Sequence, residues 1–269
     1  MKVTRRALLR GTLLVGGGAL AGAGASQAPG WFGPDRQPLD GGYAPAADRL
    51  AAVRHPGTSV TYYAQTTEPV VAFTFDDGPG PNWTKLVLDT LDRYQVRATF
   101  FMVGRNLDVH RDLVRDRLDR HEVGNHSWSH PDLAQLDFNE VRRELSRTHD
   151  VIRSVTGRET NLMRPPYGHL GGSTLLAADS LGYNVVLWSQ AMHEAKYQPN
   201  PAGQVTDIVD HTTPGSIVLA HDVGNSTRLV ALRRLGEMFS GLRARGFRFV
   251  TVSELMAMGR PAEAPQART

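Results

Sequence analysis

The 269-residue chain contains no cysteine. That excludes disulfides, thiolate metal sites, thiol nucleophiles and a lipidated N-terminal Cys, so any metal must be held by His, Asp, Glu or water. Acids are missing from the first 28 residues, where Lys2, Arg5, Arg6 and Arg10 fall. The formal charge of +3 comes from that segment; without it 26 basic residues face 27 acidic ones, a net of −1. Charge therefore gives no support to a nucleic-acid partner. The apolar stretch from Gly11 to Ala25 is short and weakly hydrophobic for a membrane span. No convincing short repeat or heptad is present. What remains, 41% hydrophobic and 21% charged, is ordinary for a globular protein of one large domain or two small ones.

The first 28 residues read as an export signal with a basic start, a Gly/Ala-rich apolar stretch and an Ala23-Gly-Ala25 cleavage site, Ala28 being a second end. Thr4-Arg-Arg-Ala-Leu-Leu-Arg10 resembles the twin-arginine motif, which implies export machinery as a partner and an extracytoplasmic, cell-wall-side location. With no Cys to lipidate, the mature protein is expected to keep no stable membrane anchor after signal cleavage. Residues 29–67 read as a Pro/Gly/Ala-rich linker or extension, 68–258 as the domain and 259–269 as a loose tail.

Within the domain, strand-like and helix-like segments alternate. Strands are expected at 70–75, 98–103, 122–125, 161–163, 184–188, 216–220 and 248–252. Helices are expected at 84–94, 108–120, 139–155, 173–181, 202–211 and 227–245, with Gly157, Gly182 and Gly246 as stop signals. Repeated β-α units predict a parallel sheet: a distorted, incomplete (β/α) barrel of about seven strands, with a doubly wound open sheet as the alternative.

Four strand ends carry chemistry. Val70-Val-Ala-Phe-Thr-Phe-Asp-Asp-Gly-Pro79 is an apolar run that stops at two carboxylates, Asp76 and Asp77. In α/β proteins, ligand chemistry gathers at such carboxyl ends. In Gly124-Asn-His-Ser-Trp-Ser-His130, His126 and His130 are four apart, so one helical turn would put both imidazoles on one side. A carboxylate and two imidazoles leave open positions on a divalent ion, as a catalytic site requires. Arg164-Pro-Pro-Tyr-Gly168 is a stiff loop whose Arg164 can bind the free carboxylate of Asp76. Ile217-Val-Leu-Ala-His-Asp222 delivers His221.

Thr74-Phe-Asp-Asp-Gly-Pro79, His126-Ser-Trp-Ser-His130, Arg164-Pro-Pro-Tyr-Gly168 and Leu219-Ala-His221 resemble, in order, motifs of the polysaccharide deacetylase family with the NodB homology domain, carbohydrate esterase family 4. The resemblance covers about residues 60–258. It implies a distorted β/α barrel and a metal-dependent hydrolase of carbon–nitrogen bonds that deacetylates a polysaccharide. It further implies Asp77, His126 and His130 as metal ligands, usually for Zn2+ and sometimes Co2+ or another divalent ion. Asp76 would be the general base, His221 the general acid, Arg164 the residue orienting Asp76, and the Tyr167 N–H part of the oxyanion site. Trp83, Trp128 and Tyr167 can offer apolar faces to sugar rings.

One region departs from the family. Where Asp-x-x-Asp-Trp is expected after the strand ending at Trp188, the chain has Ala191-Met-His-Glu-Ala195. Ala191 and Ala195 can neither tune the acid histidine nor wall an acetyl pocket. Glu194, His193 and Tyr197 are candidate replacements, and Asp222 adjoins His221; without a carboxylate partner, His221 should have a lower pKa than a paired histidine. N-deacetylation of peptidoglycan or chitin-type N-acetylglucosamine is the leading reading, with an acetylxylan-type O-esterase, a weakly active metal-containing carbohydrate-binding protein and a two-His-one-carboxylate iron oxygenase as alternatives.

Overall fold

The computed structural model describes residues 57–259. The export signal expected at 1–28, most of the extension at 29–67 and the tail beyond residue 259 lie outside the described residues. No helix among the described residues is long and apolar enough to cross a membrane.

Strand β2 (Val70–Asp76) is the centre of the sheet, and all seven of its residues are buried. Both its faces are covered, which accounts for the lack of polar alternation. Val71, Phe73 and Phe75 point outward into the helical layer, where the Phe73 ring meets Phe239 edge-on at 5.1 Å. Val70 and Ala72 face inward with Phe101, Leu162, Val186 and Ile217.

Around β2 the strands β1 (Val60–Thr61), β3 (Thr99–Met102), β4 (Glu122–Asn125), β5 (Leu162–Met163), β6 (Asn184–Val186), β7 (Gln190–Ala191) and β8 (Ser216–His221) form one parallel sheet in the order β1-β6-β5-β4-β3-β2-β8-β7, and β9 (Arg248–Phe249) pairs with the start of β2. All seven expected strands are present; the two additional ones, β1 and β7, have two residues each and too little sequence to announce themselves.

The sheet is curled. Strands β6 and β7 lie near opposite ends of the strand order, yet only residues 187–189 separate them in the chain. Those residues tie the two ends: Leu187 N–H donates to the Thr61 carbonyl at 2.7 Å and Ser189 N–H to the Ile217 carbonyl at 3.1 Å. An antiparallel bridge between Tyr63 and Ser216 adds a second tie. The barrel is closed by connecting chain instead of a continuous ladder. Residues 60–64, expected in the extension, thus belong to the sheet, and Ala64 is buried.

The helices follow their caps. Helix α4 (Phe138–Thr156) starts with a capping box between Asp137 and Glu140 and ends at Gly157, whose φ of 67° a side chain would resist. Val141, Leu145 and Ile152 bury its apolar side. Helices α1 (Trp83–Arg93), α5 (Gly172–Ser180) and α7 (Pro201–His211) also match expectation within a residue at either end.

Three expected elements differ. The helix expected at 108–120 is two short pieces, α2 (Gly104–Val109) and α3 (Arg111–Val114), broken at His110 and followed by Asp116 at φ 61°. The helix expected at 227–245 is split into α8 (Ser226–Leu232) and α9 (Leu235–Ala244). The strand expected at 248–252 stops early because Thr251 and Glu254 form a capping box that starts α10 (Val252–Met258). A further short helix, α6 (Glu194–Tyr197), follows β7.

Candidate active site

Strand register delivers the site. Asp76 pairs with His221 and Phe101, and Thr74 with Leu219 and Thr99, so these side chains share the inner face. On β4, Gly124 pairs with Phe101; a Cβ at Gly124 would come within 2.5 Å of the Phe101 ring, so glycine is what admits it. Two residues on, His126 returns to the inner face, and Arg164 N–H donates to the Asn125 carbonyl beside it. The inner rows of four strands therefore end at the same mouth in Asp76, His126, Arg164 and His221.

Asp77 and His130 fall outside this alternation and are turned in by backbone strain. Asp77 has φ 76°, and its carbonyl is held by the Asn106 side chain at 2.8 Å. His126 and His130 do not share a helical turn, as the spacing suggested. Residues 126–130 form a loop with Ser127 at φ 66° and His130 at φ 61°. Glu144 on α4 fixes that loop, accepting the N–H groups of Trp128 at 2.9 Å and Ser129 at 2.8 Å and the Ser129 hydroxyl at 3.0 Å. Asn125 Oδ1 takes the Ser127 N–H, and Ser127 Oγ takes the His130 N–H. Left-handed backbone at non-glycine residues costs about 1–3 kcal/mol each, and such sites tend to be functional. Of seven such residues described, Asp77, His130 and Tyr167 line the mouth.

The result is a candidate ligand set. Asp77 Oδ1 lies 3.1 Å from His130 Nε2 and 3.5 Å from His126 Nε2. One donor atom from each of the three lies within 4.8 Å of the others, and among the described residues no second such group occurs. His126 Nδ1 meets the Arg164 carbonyl at 2.7 Å, an acceptor, so Nδ1 carries the proton and Nε2 keeps its lone pair for a cation. Two imidazoles and a carboxylate in this arrangement fit a divalent ion with open positions. Burial would raise the Asp77 carboxyl, but the imidazoles of His126 and His130 beside it outweigh that and hold it far below the usual range. Burial would lower His126, but Asp76 and Asp77 outweigh it and raise it.

Asp76 is nearly sealed. Its Oδ1 accepts from Arg164 Nη1 at 2.8 Å, and its Oδ2 stands 3.8 Å from His126 Nε2. Arg164 has no exposed surface; it also donates to Thr74 Oγ1 and to the carbonyls of Val186 and Leu187, and its guanidinium lies over the Phe101 ring at 4.2 Å.

The expectation that His221 lacks a carboxylate partner is corrected. Glu194 Oε1 lies 3.0 Å from His221 Nδ1. A carboxylate is thus supplied from α6, three residues beyond Ala191, and the premise for an unpaired His221 fails. Burial would raise Glu194, but its bond to His221 outweighs that and lowers it. Asp222 takes no part in this pair. It is wholly buried on the other side of the strand, accepts the Thr84 hydroxyl at 2.6 Å, and is pushed up to about 7 by burial. His193 caps α6 at φ 47° and offers its side chain to no cap bond.

Asp76, Asp77, His126, His130 and His221 line a cleft of about 230 Å³ with Tyr167, Gly168, Trp188 and Arg228. Tyr167, at φ 61° and 60% exposed, sets its ring against His130 at 4.8 Å. Trp188 packs on Gly168 and walls the cleft where the family's own tryptophan is missing. Trp128 instead lies under Arg147 at 3.5 Å, and Trp83 packs on the outer core. Sequence reasoning missed Trp188 as a wall, Glu144 as the loop clamp and Arg228. No motif marks Glu144 or Arg228, whereas Trp188 stood two positions beyond an inner-face residue.

A family model described as polysaccharide deacetylase matches residues 63–186. Peptidoglycan-N-acetylglucosamine deacetylase PgdA of Listeria monocytogenes is 37% identical over 191 residues, 70% of this chain; the match spans only 39% of that relative's length. A peptidoglycan-N-acetylglucosamine deacetylase of Bacillus cereus is 34% identical over 199 residues, covering 73% of this chain and 92% of the relative. Among solved structures, the Bc1960 peptidoglycan N-acetylglucosamine deacetylase superimposes with a TM-score of 0.70 at 27% identity, over 76% of this chain and 96% of that one. With the curled parallel sheet and the four motif-bearing strand ends, these matches make the chain a member of the polysaccharide deacetylase family.

Proposed function

We propose that the protein is an exported, metal-dependent deacetylase that hydrolyses N-acetyl groups of a polysaccharide built on N-acetylglucosamine, of the peptidoglycan or chitin type. The observation that carries this reading is the meeting of Asp77, His126 and His130 with Asp76 and His221 at one cleft. A cation-binding protein without turnover would need neither of the last two. The composition of the first 28 residues supports export.

An acetamide is a poor electrophile with a poor leaving group. A divalent cation, zinc by the donor set, would be held by Asp77 Oδ1 and the two Nε2 atoms and would supply Lewis acidity toward the acetyl carbonyl and water. The rest is done by side chains of this chain. Asp76 takes a proton from the attacking water through Oδ2, since Oδ1 is occupied by Arg164. Arg164 fixes the carboxylate orientation through its Nη1 bond to Oδ1. The Tyr167 N–H at the rim stabilises the oxyanion. His221, with Nδ1 turned to Glu194, presents Nε2 to the departing nitrogen and protonates it. Trp188 and Tyr167 exclude water from one side and offer faces to the sugar.

The test is acetate release by the zinc-loaded protein from chitin oligosaccharides, peptidoglycan and acetylxylan, with Asp76→Asn as control. Release from the first or second that is lost in the control supports the proposal. Release from acetylxylan alone would replace it with an O-esterase, and none from any substrate with one equivalent of metal bound would overturn it.

A further inference from the structure

We infer that Arg228 recognises an anionic group on the substrate, so that the chain favours an N-acetyl amino sugar carrying a carboxylate near its acetamide. The inference rests on the proposed deacetylase reading and narrows its substrate.

Arg228 lies on α8, shortly after the strand that delivers His221, and lines the catalytic cleft with its side chain 26% exposed. Its Nη1 donates to Asp77 Oδ2 at 2.6 Å and to the Val223 carbonyl. Both bonds leave from that one nitrogen, and among the described residues Nε and Nη2 have no hydrogen-bond partner. Bracing Asp77 uses one corner of the guanidinium. What bracing leaves over is the Nε/Nη2 edge, the fork that matches a carboxylate with two parallel bonds.

The charge of the cleft points the same way. Asp76 is offset by Arg164, and Glu194 faces His221. A dication on Asp77, His126 and His130 would still stand beside the Arg228 cation. Two positive groups this close repel, and a neutral sugar recovers none of that cost. An anionic substituent does. In a muramic-acid-type sugar, an O3-linked lactyl carboxylate sits on the carbon next to the one bearing the acetamide, so the scissile group and the charge enter one cleft together.

The experiment compares a tetrasaccharide of peptide-free glycan bearing free lactyl carboxylates with its methyl ester. Binding by calorimetry and acetate release are measured on the zinc-loaded wild type, Arg228→Gln and Arg228→Lys, each checked for zinc content. Wild type should bind the acid about tenfold or more tighter than the ester, the scale of a charge-assisted hydrogen-bonded pair. Arg228→Gln should bring that ratio close to one, and Arg228→Lys should fall between, having charge without the fork. Equal binding of acid and ester by wild type, or an unchanged ratio in Arg228→Gln, overturns the inference. Acid-selective binding without acetate release would overturn the deacetylase reading and leave this one standing; release from both at equal rates with no binding preference would do the reverse.

Discussion

Glu194 Oε1 lies 3.0 Å from His221 Nδ1 although it stands 27 positions earlier in the chain. The carboxylate missing at Ala191 is supplied three residues on, within the same Ala191-to-Ala195 stretch, from the first turn of a short helix. The pairing fixes which imidazole nitrogen faces the cleft, and that is what an acid histidine requires.

Replacing Glu194 by Gln should therefore lower kcat by about 100-fold, within the range a general acid contributes, and change KM little. Glu194→Asp should recover part of it. Steady-state kinetics on the substrate identified by acetate release checks both. Equal losses in kcat and substrate affinity would assign Glu194 to binding instead.

Arg164→Met should destabilise the fold by about 3–5 kcal/mol, because it leaves the buried Asp76 charge without its partner. Asp76→Asn/Arg164→Met should regain part of that loss while remaining inactive. Urea unfolding of the two variants and the wild type measures the difference, and identical midpoints for single and double variants would contradict it.

Zinc should raise the melting temperature, since a cation that binds only the folded chain adds about 2.7 kcal/mol at a hundred times its Kd. His126→Ala and His130→Ala should abolish the shift and acetate release together. Chelation should silence the wild type, and zinc or cobalt should restore it.

Stability should fall as pH rises from about 4 to about 7 by the contribution of Asp222, whose folded pKa burial pushes up to about 7 from its ordinary value of 3.8. In that window the unfolded chain has lost the proton and the folded chain retains it, so deprotonation favours unfolding. Asp222→Asn, which can still accept the Thr84 hydroxyl, should flatten this slope and melt higher than wild type at pH 8. Thermal unfolding across pH 4–8 decides it; parallel curves would rule out the assignment.

Much of this was legible in the chain. The strand at 70–75 announces itself through an apolar run closed by Asp, and the four motif ends named residues that meet. The manner of meeting was not legible. The His126–His130 spacing reads as a helical turn, whereas side-chain brackets from Asn125 and Glu144 hold a left-handed loop that no local propensity favours. Glu194 was one of three candidates in the Ala191-to-Ala195 region and the geometry selects it, whereas Arg228 lies outside every motif and only the fold brings it to Asp77. The Thr251/Glu254 capping box went unread: the expected strand runs to 252, over the residues that open a helix instead.

Arg164 serves both halves of the site at once: its carbonyl oxygen takes the proton of His126 Nδ1, and its guanidinium takes Asp76 Oδ1. One residue thus acts as the ruler between the proposed cation seat and the proposed base. The spacing is written into the bonds of a single amino acid, and drift of β5 would carry both ends together. A larger cation cannot lengthen that ruler, so metal exchange should register as a mismatch between attacking water and Asp76 before it registers as weaker binding.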